Sequence, residues 1–338
     1  VKLAIVGAGA IGCYLGARLA LAGETCTFIA RGDNLKAIDA QGVRLVLEDG
    51  SEQIAREVRA FEQMSEAGTH DAVLLAVKAH QVGGVAADLH RLCGEETTIV
   101  TLQNGIPWWY FYRSGGPLEG RAVRHVDPDG TIAKHVDPRR IIGCVVYPAA
   151  ELVAPGVVKV VEGNRFTLGE PDGSMTERIQ ALSASLRKAG FKAPAVRDIR
   201  SEIWLKLWGA LSFNPISALT HATLADICEF PATRELAAAM MREAQVVAEK
   251  LGVRFRIPLE RRIEGARRVG QHKTSTLHDV EQGRPLELQA ILGAVFELAQ
   301  MTGTPAPYLE AVYACASLLE KTLADGNGRL RVQSRRVT

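Results

Sequence analysis

Lys2-Leu3-Ala4-Ile5-Val6-Gly7-Ala8-Gly9-Ala10-Ile11-Gly12 opens the chain as an apolar run that breaks on three glycines. The run reads as a buried strand and the glycines as a strand-to-helix turn. In a dinucleotide-binding βαβ unit the first glycine makes the tight turn and the second lets the backbone approach a pyrophosphate. The third lets helix and strand pack closely. The helix N-terminus then offers N–H groups and a partial positive charge to the phosphates. Glycine spacing alone is a weak signal, but its flanks agree with it. Residues Cys13 to Ala20 continue as a helix of small and apolar residues that stops at Gly23, and Cys26-Thr27-Phe28-Ile29-Ala30 supplies the second strand.

The residue that reads the ribose in such a unit stands about twenty residues past the turn. Here it is Arg31, not Asp or Glu. A carboxylate would bind both ribose hydroxyls and repel a 2′-phosphate, whereas a guanidinium forms a forked, charge-assisted bond to that phosphate. NADP(H) is therefore the expected cofactor. The alternative makes Arg31 a solvated loop residue and gives the ribose to Asp33.

Outward from this unit, Ala72 to Val77 and Thr97 to Leu102 are continuous apolar runs that suit parallel strands buried on both faces. They end at Lys78 and at Gln103-Asn104-Gly105, where open α/β sheets meet their ligands. Ile141 to Tyr147, Gly156 to Val161 and Arg165 to Gly169 read as antiparallel strands closing the same sheet. Beyond Arg197 the strand signals fade, and helices are expected at about 199–220, 232–251, 258–270, 287–301 and 306–324. The expected fold is an α/β Rossmann-type domain followed by an all-α domain. The boundaries are 1–196 for nucleotide binding, 197–326 for substrate and chemistry, and 327–338 as a flexible tail.

The 338 residues are 47% hydrophobic and 23% charged, with a formal net charge of +2, as in a soluble globular chain of two domains. Near-neutrality argues against nucleic acid as a partner, and no apolar run approaches membrane-spanning length. Val1 already belongs to the first strand, so no secretory leader is expected. The six cysteines lack C-x-x-C spacing and read as reduced thiols of a cytoplasmic protein, with neither disulfides nor a metal cage. Amphipathic stretches such as Arg234 to Leu251 leave a homodimer open.

Two stretches resist assignment. Trp108-Trp109-Tyr110-Phe111-Tyr112 reads first as packing and second as a pocket wall. His125-Val126-Asp127-Pro128 recurs as His135-Val136-Asp137-Pro138, and a hairpin around Gly130 is preferred to a metal pair.

The most chemical helix runs from Glu202 to Pro215. At 100° per residue Trp204, Leu207, Trp208 and Leu211 form an apolar face, and Lys206, Ala210, Asn214 and Ser217 a separate stripe. Pro215 removes the N–H that would bond to Leu211 and bends the helix. A surface lysine beside a kink would look the same. Downstream, Ser275-Thr276-Leu277-His278-Asp279 leads to Glu287, which would open the next helix and by itself could be a mere dipole partner.

Together these segments resemble the ketopantoate reductase family over nearly the whole chain. The resemblance rests on the Gly7 to Gly12 turn, Arg31, Lys78-Ala79-His80-Gln81, Gln103-Asn104-Gly105, Ile203 to Leu207, Asn214-Pro215, and Ser275 to Asp279 with Glu287 beyond. It implies NADPH-dependent reduction of a 2-keto acid to a 2-hydroxy acid, by default 2-dehydropantoate to pantoate in pantothenate synthesis. By similarity Lys206 is the catalytic lysine and Glu287 the glutamate at cofactor and active site. Asn104 contacts cofactor and substrate, Asn214 and Ser275 bind substrate, and Lys78 and Gln81 lie along the cofactor. The chemistry agrees, since a lysine can stabilise the alkoxide formed by hydride transfer and protonate it, while a neighbouring carboxylate keeps the lysine charged.

The chain departs from the family pattern at Ala210 and Leu224, where substrate-facing asparagines are expected, and the segment from Trp108 to Arg140 is longer than usual. These losses of polar contact open a second reading, a reductase of another branched or bulkier 2-keto acid. A third, a non-catalytic NADP(H) sensor, has no need of both Lys206 and Glu287.

Overall fold

The computed structural model describes residues 1–329, so the tail expected over 327–338 lies, from Leu330 onward, outside the described residues. The chain divides into two compact units, Val1–Glu202 and the part from Ile203 onward.

The first unit holds eleven strands in two sheets. They are β1 (Lys2–Val6), β2 (Thr25–Ile29), β3 (Val43–Val46), β4 (Glu52–Ala55), β5 (Val58–Phe61) and β6 (His70–Leu75). The remainder are β7 (Cys93–Thr101), β8 (Ile141–Val146), β9 (Ala149–Ala154), β10 (Val157–Glu162) and β11 (Phe166–Gly169). The larger sheet has the order β11-β8-β7-β6-β1-β2-β5, and the smaller β4-β3-β10-β9. In the larger sheet every pairing is parallel except that of β11 with β8.

This corrects the expectation that residues 141–169 form antiparallel strands closing one sheet. The segment between β7 and β8 is long enough for a crossover, so β8 enters parallel to β7. Only β11 closes the larger sheet antiparallel. The β9–β10 hairpin joins the smaller sheet instead, with β10 parallel to β3. Burial explains the division. All of β8 is buried, as befits a strand inside a parallel sheet, while β10 alternates buried Val158 and Val160 with exposed Lys159.

The helix Ala10–Leu21 packs against strands of the smaller sheet as well as against β1 and β2. Being enclosed, it buries Gly12, Cys13, Tyr14, Leu15, Gly16, Ala17 and Leu19 and shows little amphipathic character. A Cβ on Gly16 would lie 2.5 Å from the Phe28 ring, so the helix needs a glycine there to seat on β2. All six cysteines are free thiols, and burial pushes Cys13 and Cys26 up to about 12.

The aromatic stretch is mainly packing. Trp109, Tyr110 and Phe111 are buried. The Trp109 indole N–H donates to Thr101 Oγ1 at 3.0 Å, and its ring lies where a Cβ on Gly143 would come within 2.6 Å. Arg200 ties the segment down by donating to the carbonyls of Tyr110 (2.8 Å) and Tyr112 (2.7 Å). The two His-Val-Asp-Pro repeats share a capping role, not a hairpin. Asp127 accepts from Ile132 N and Ala133 N, each at 2.9 Å, at the start of the helix Thr131–His135. Asp137 accepts from Arg139 N, also at 2.9 Å.

The second unit is helical among the described residues. Its longer helices are Ile199–Thr220, which begins in the first unit, then Pro231–Lys250, Leu259–Val269 and Pro307–Asp325. Trp204 and Trp208 are fully buried, and Trp208 Nε1 donates to the Met241 carbonyl at 2.7 Å. Two short helices, Leu224–Glu229 and Ser275–Glu281, go beyond the expected set, and each starts at a threonine cap, Thr223 and Thr274. Among the described residues no helix is long and apolar enough to cross a membrane.

Candidate active site

In the first unit the candidate residues follow the carboxyl ends of four neighbouring parallel strands, β7, β6, β1 and β2. Gly7 follows β1 with φ +104°, a conformation L side chains rarely adopt, and its Cβ would lie 2.8 Å from Val77. Gly12 is closer still: its Cβ would lie 2.0 Å from the Gly7 carbonyl oxygen and 3.2 Å from Ala76 Cβ. Gly9 is different. It is exposed, its φ is −76°, and a Cβ there would meet nothing within 4 Å. Neither backbone strain nor packing demands a glycine at that position, whereas close approach by a ligand would.

The helix behind Gly9 has no side-chain N-cap and no acidic residue in its first turn. Its leading N–H groups and dipole thus suit an anion. Ala8 is buried, and Ala10 and Ile11 are half-buried on that first turn. The protein holds the turn through Asn34, whose Nδ2 donates to the Ala8 carbonyl while its Oδ1 accepts from Gly156 N at 2.7 Å. Asn34 carries no motif signal, since its partner is 122 residues away.

Arg31 lies two residues past β2, exposed, at the N-cap of the helix Gly32–Gln41. It makes no ion pair with a carboxylate among the described residues. Asp33, also exposed, stands 3.5 Å from Lys36. Lys78 is half-buried beyond β6, and its backbone N–H donates to Gln81 Oε1 at 3.0 Å. The Gln81 side chain thus shapes the turn that carries Lys78. Asn104 is half-buried just past β7. Gln103 beside it donates through Nε2 to the carbonyls of Leu75 (2.7 Å) and Val77 (2.9 Å), locking the ends of β6 and β7 together. The role of Gln103 was not legible in the sequence, because its acceptors are backbone atoms.

In the second unit Lys206, Ala210 and Asn214 are half-buried along one stripe of the helix Ile199–Thr220. Trp204, Leu207, Trp208 and Leu211 are buried on its other faces. Ser217, expected on the stripe, is buried and donates to the Ala222 carbonyl at 2.6 Å. The helix continues through Pro215 to Thr220. Just beyond it, Leu224 N donates to the His272 carbonyl at 3.0 Å and Ala225 N to the Gly270 carbonyl at 3.1 Å. These bonds bring the half-buried Leu224 beside the segment that leads to Ser275, the exposed first residue of its helix.

Glu287 is half-buried and lies just ahead of the helical segment it was expected to open. Its carbonyl accepts from Ile291 N at 3.2 Å, and Gln289–Gly293 is a π-helical turn before the α-helix Ala294–Met301. Such π turns are rare and frequent at functional sites. The Gln289 side chain is held by Tyr313, whose hydroxyl donates to Oε1 at 2.8 Å.

The family model for ketopantoate reductase PanE/ApbA matches residues 3–173, and that for its C-terminal part matches residues 198–320. A 2-dehydropantoate 2-reductase of Mesorhizobium japonicum is 53% identical over 314 residues, covering 93% of this chain and 96% of its own. A crystal structure from Ralstonia solanacearum MolK2 superposes with a TM-score of 0.90 at 38% identity, covering 96% of this chain and 98% of that one. The crystal structure of 2-dehydropantoate 2-reductase from Geobacter metallireducens GS-15 gives a TM-score of 0.82 at 28% identity, covering 94% and 99%.

Proposed function

Because the chain belongs to the ketopantoate reductase family, we infer that it catalyses the nicotinamide-dependent reduction of 2-dehydropantoate to pantoate. The observation that carries this reading is the extent of the 53% match. It spans 93% of the chain, and the family models over residues 3–173 and 198–320 take in the glycine turn and the Lys206 helix. The reaction supplies pantoate to pantothenate synthesis, and the free thiols suit a reducing cytoplasm.

We propose NADPH as the reductant. The residues fit such a group: Gly9 leaves room for a pyrophosphate, the uncapped helix behind it offers N–H donors, and Arg31 is exposed where a 2′-phosphate would be read. Lys78, Gln81 and Asn104 would line its path, and the family resemblance adds Glu287. When bound, the reduced nicotinamide supplies the hydride.

The protein's own part is to hold the keto acid and manage charge. Lys206 Nζ donates a hydrogen bond to the carbonyl oxygen, stabilises the negative charge that develops there and delivers the proton. Glu287 positions that ammonium and favours its charged form. Asn104, Asn214 and Ser275 hydrogen-bond the carboxylate and hydroxyl, asparagine bringing both donor and acceptor.

A second reading rests on Ala210 and Leu224, half-buried apolar residues in the substrate half of the site, which would accommodate a bulkier 2-keto acid. A panel of 2-keto acids assayed with NADPH and with NADH separates the readings. The highest kcat/KM is expected on 2-dehydropantoate with NADPH. An optimum on a larger keto acid would establish the second reading, and no turnover on any would overturn both.

A further inference from the structure

Gly209 stands inside the helix that carries Lys206, three residues on and next to Ala210. A helix-interior glycine costs about 1 kcal/mol relative to alanine, and no left-handed conformation calls for it. What occupies the space is Arg262. A Cβ on Gly209 would lie 2.5 Å from Arg262 Nη2, 3.0 Å from Cζ and 3.3 Å from Nε. The guanidinium therefore lies directly on the helix backbone at the turn that presents Lys206.

The placement is built in from both sides. Trp208, the neighbour of Gly209, packs its ring against Phe255 with centroids 4.3 Å apart, and Phe255 leads into the helix Leu259–Val269 that bears Arg262. Ile263 is buried, and its carbonyl accepts from Cys228 Sγ at 3.7 Å. Arg262 itself is half-buried, and its Nε is buried against the helix.

Residues three apart on a helix present their side chains about 5–6 Å from one another. A 2-keto acid presents two oxygen-bearing groups on adjacent carbons, a carbonyl that needs a proton donor and a carboxylate that needs a cation. A guanidinium meets a carboxylate with two parallel hydrogen bonds, which an ammonium cannot do.

Resting on the reductase reading above, we propose that Arg262, seated on Gly209, anchors the carboxylate of the 2-keto acid while Lys206 serves its carbonyl. Arg262 then determines specificity for free 2-keto acids over their uncharged amides or esters.

The test compares a 2-keto acid with its amide in wild type and in Arg262→Gln. The KM for the acid should rise about tenfold or more on loss of the charge-assisted pair. kcat and the KM for NADPH should change far less, and the acid-to-amide ratio of kcat/KM should fall. A purely structural role would weaken acid and amide alike and leave that ratio unchanged, which would overturn the proposal. Gly209→Ala, which keeps the arginine but fills its seat, should lower the same ratio. If Arg262→Gln does not fold, the ratio is read in Arg262→Lys, where a wild-type value overturns the proposal. A wild type that reduces no 2-keto acid overturns the reductase reading with it, whereas an active wild type matched by Arg262→Gln overturns this inference alone.

Discussion

A Cβ on Gly12 would sit 2.0 Å from the Gly7 carbonyl oxygen, so the third glycine of the turn is held by the first. Gly12→Ala must push the helix Ala10–Leu21 off β1, with strain transmitted to the smaller sheet on its other side. Overpacking of this kind costs about 1–3 kcal/mol. A lower denaturation midpoint and weakened NADPH binding are expected. Gly9→Ala, which meets no protein atom, should leave the midpoint unchanged and weaken NADPH alone; equal loss of stability in both variants would contradict the division of labour.

Arg31→Ala separates the two cofactors. Removing a charge-assisted phosphate contact costs about 1.5–3 kcal/mol, so the KM for NADPH should rise at least about tenfold while that for NADH moves little. Equal effects on both would mean that Arg31 does not read the 2′-phosphate and would leave the ribose to Asp33.

Lys206→Ala should lower kcat by about 10²–10⁴, the usual contribution of a positioned general acid. NADPH binding, followed by nucleotide fluorescence, should be retained because the glycine turn belongs to the first unit. An unchanged turnover rate would remove Lys206 from the chemistry.

His70 predicts an acid sensitivity unrelated to catalysis. It is buried at the start of β6, and burial, with a lesser contribution from nearby Lys2, holds its pKa below the ordinary histidine value. Arg59 also opposes the imidazolium and Asp71 favours it. Because the folded pKa is depressed, the unfolded chain binds the extra proton first. The stability contribution is therefore intact above about pH 6.5 and is lost as pH falls from there through the folded value. Thermal midpoints of His70→Phe should decline less than wild type between neutral pH and pH 5. Parallel declines would exclude His70 as a source.

Much of this architecture is legible in residue order because it is local. The Gly7 to Gly12 turn, the apolar runs of β6 and β7, and the periodicity of the Lys206 helix each declare themselves within a dozen residues. Sheet membership does not. β10 belongs beside β3, more than a hundred residues earlier, and only its alternating burial distinguishes it from the wholly buried β8. The same holds at the site. Lys206 and Asn214 share a stripe by spacing alone, whereas Asn34, Gln103 and Arg262 act on backbone that is distant in sequence. Ser217 falls on the predicted stripe yet turns its hydroxyl to the Ala222 carbonyl, because a helix end must satisfy its neighbouring backbone first.

Reduction of 2-dehydropantoate is tested by following both products of one reaction. Purified protein with NADPH and 2-dehydropantoate should consume nucleotide absorbance and form pantoate in equal molar amounts, and the exchange should stop when either reactant is omitted. NADPH that binds tightly but is not consumed, with 2-dehydropantoate or any other 2-keto acid present, would mean that the protein binds the nucleotide without acting as a reductase.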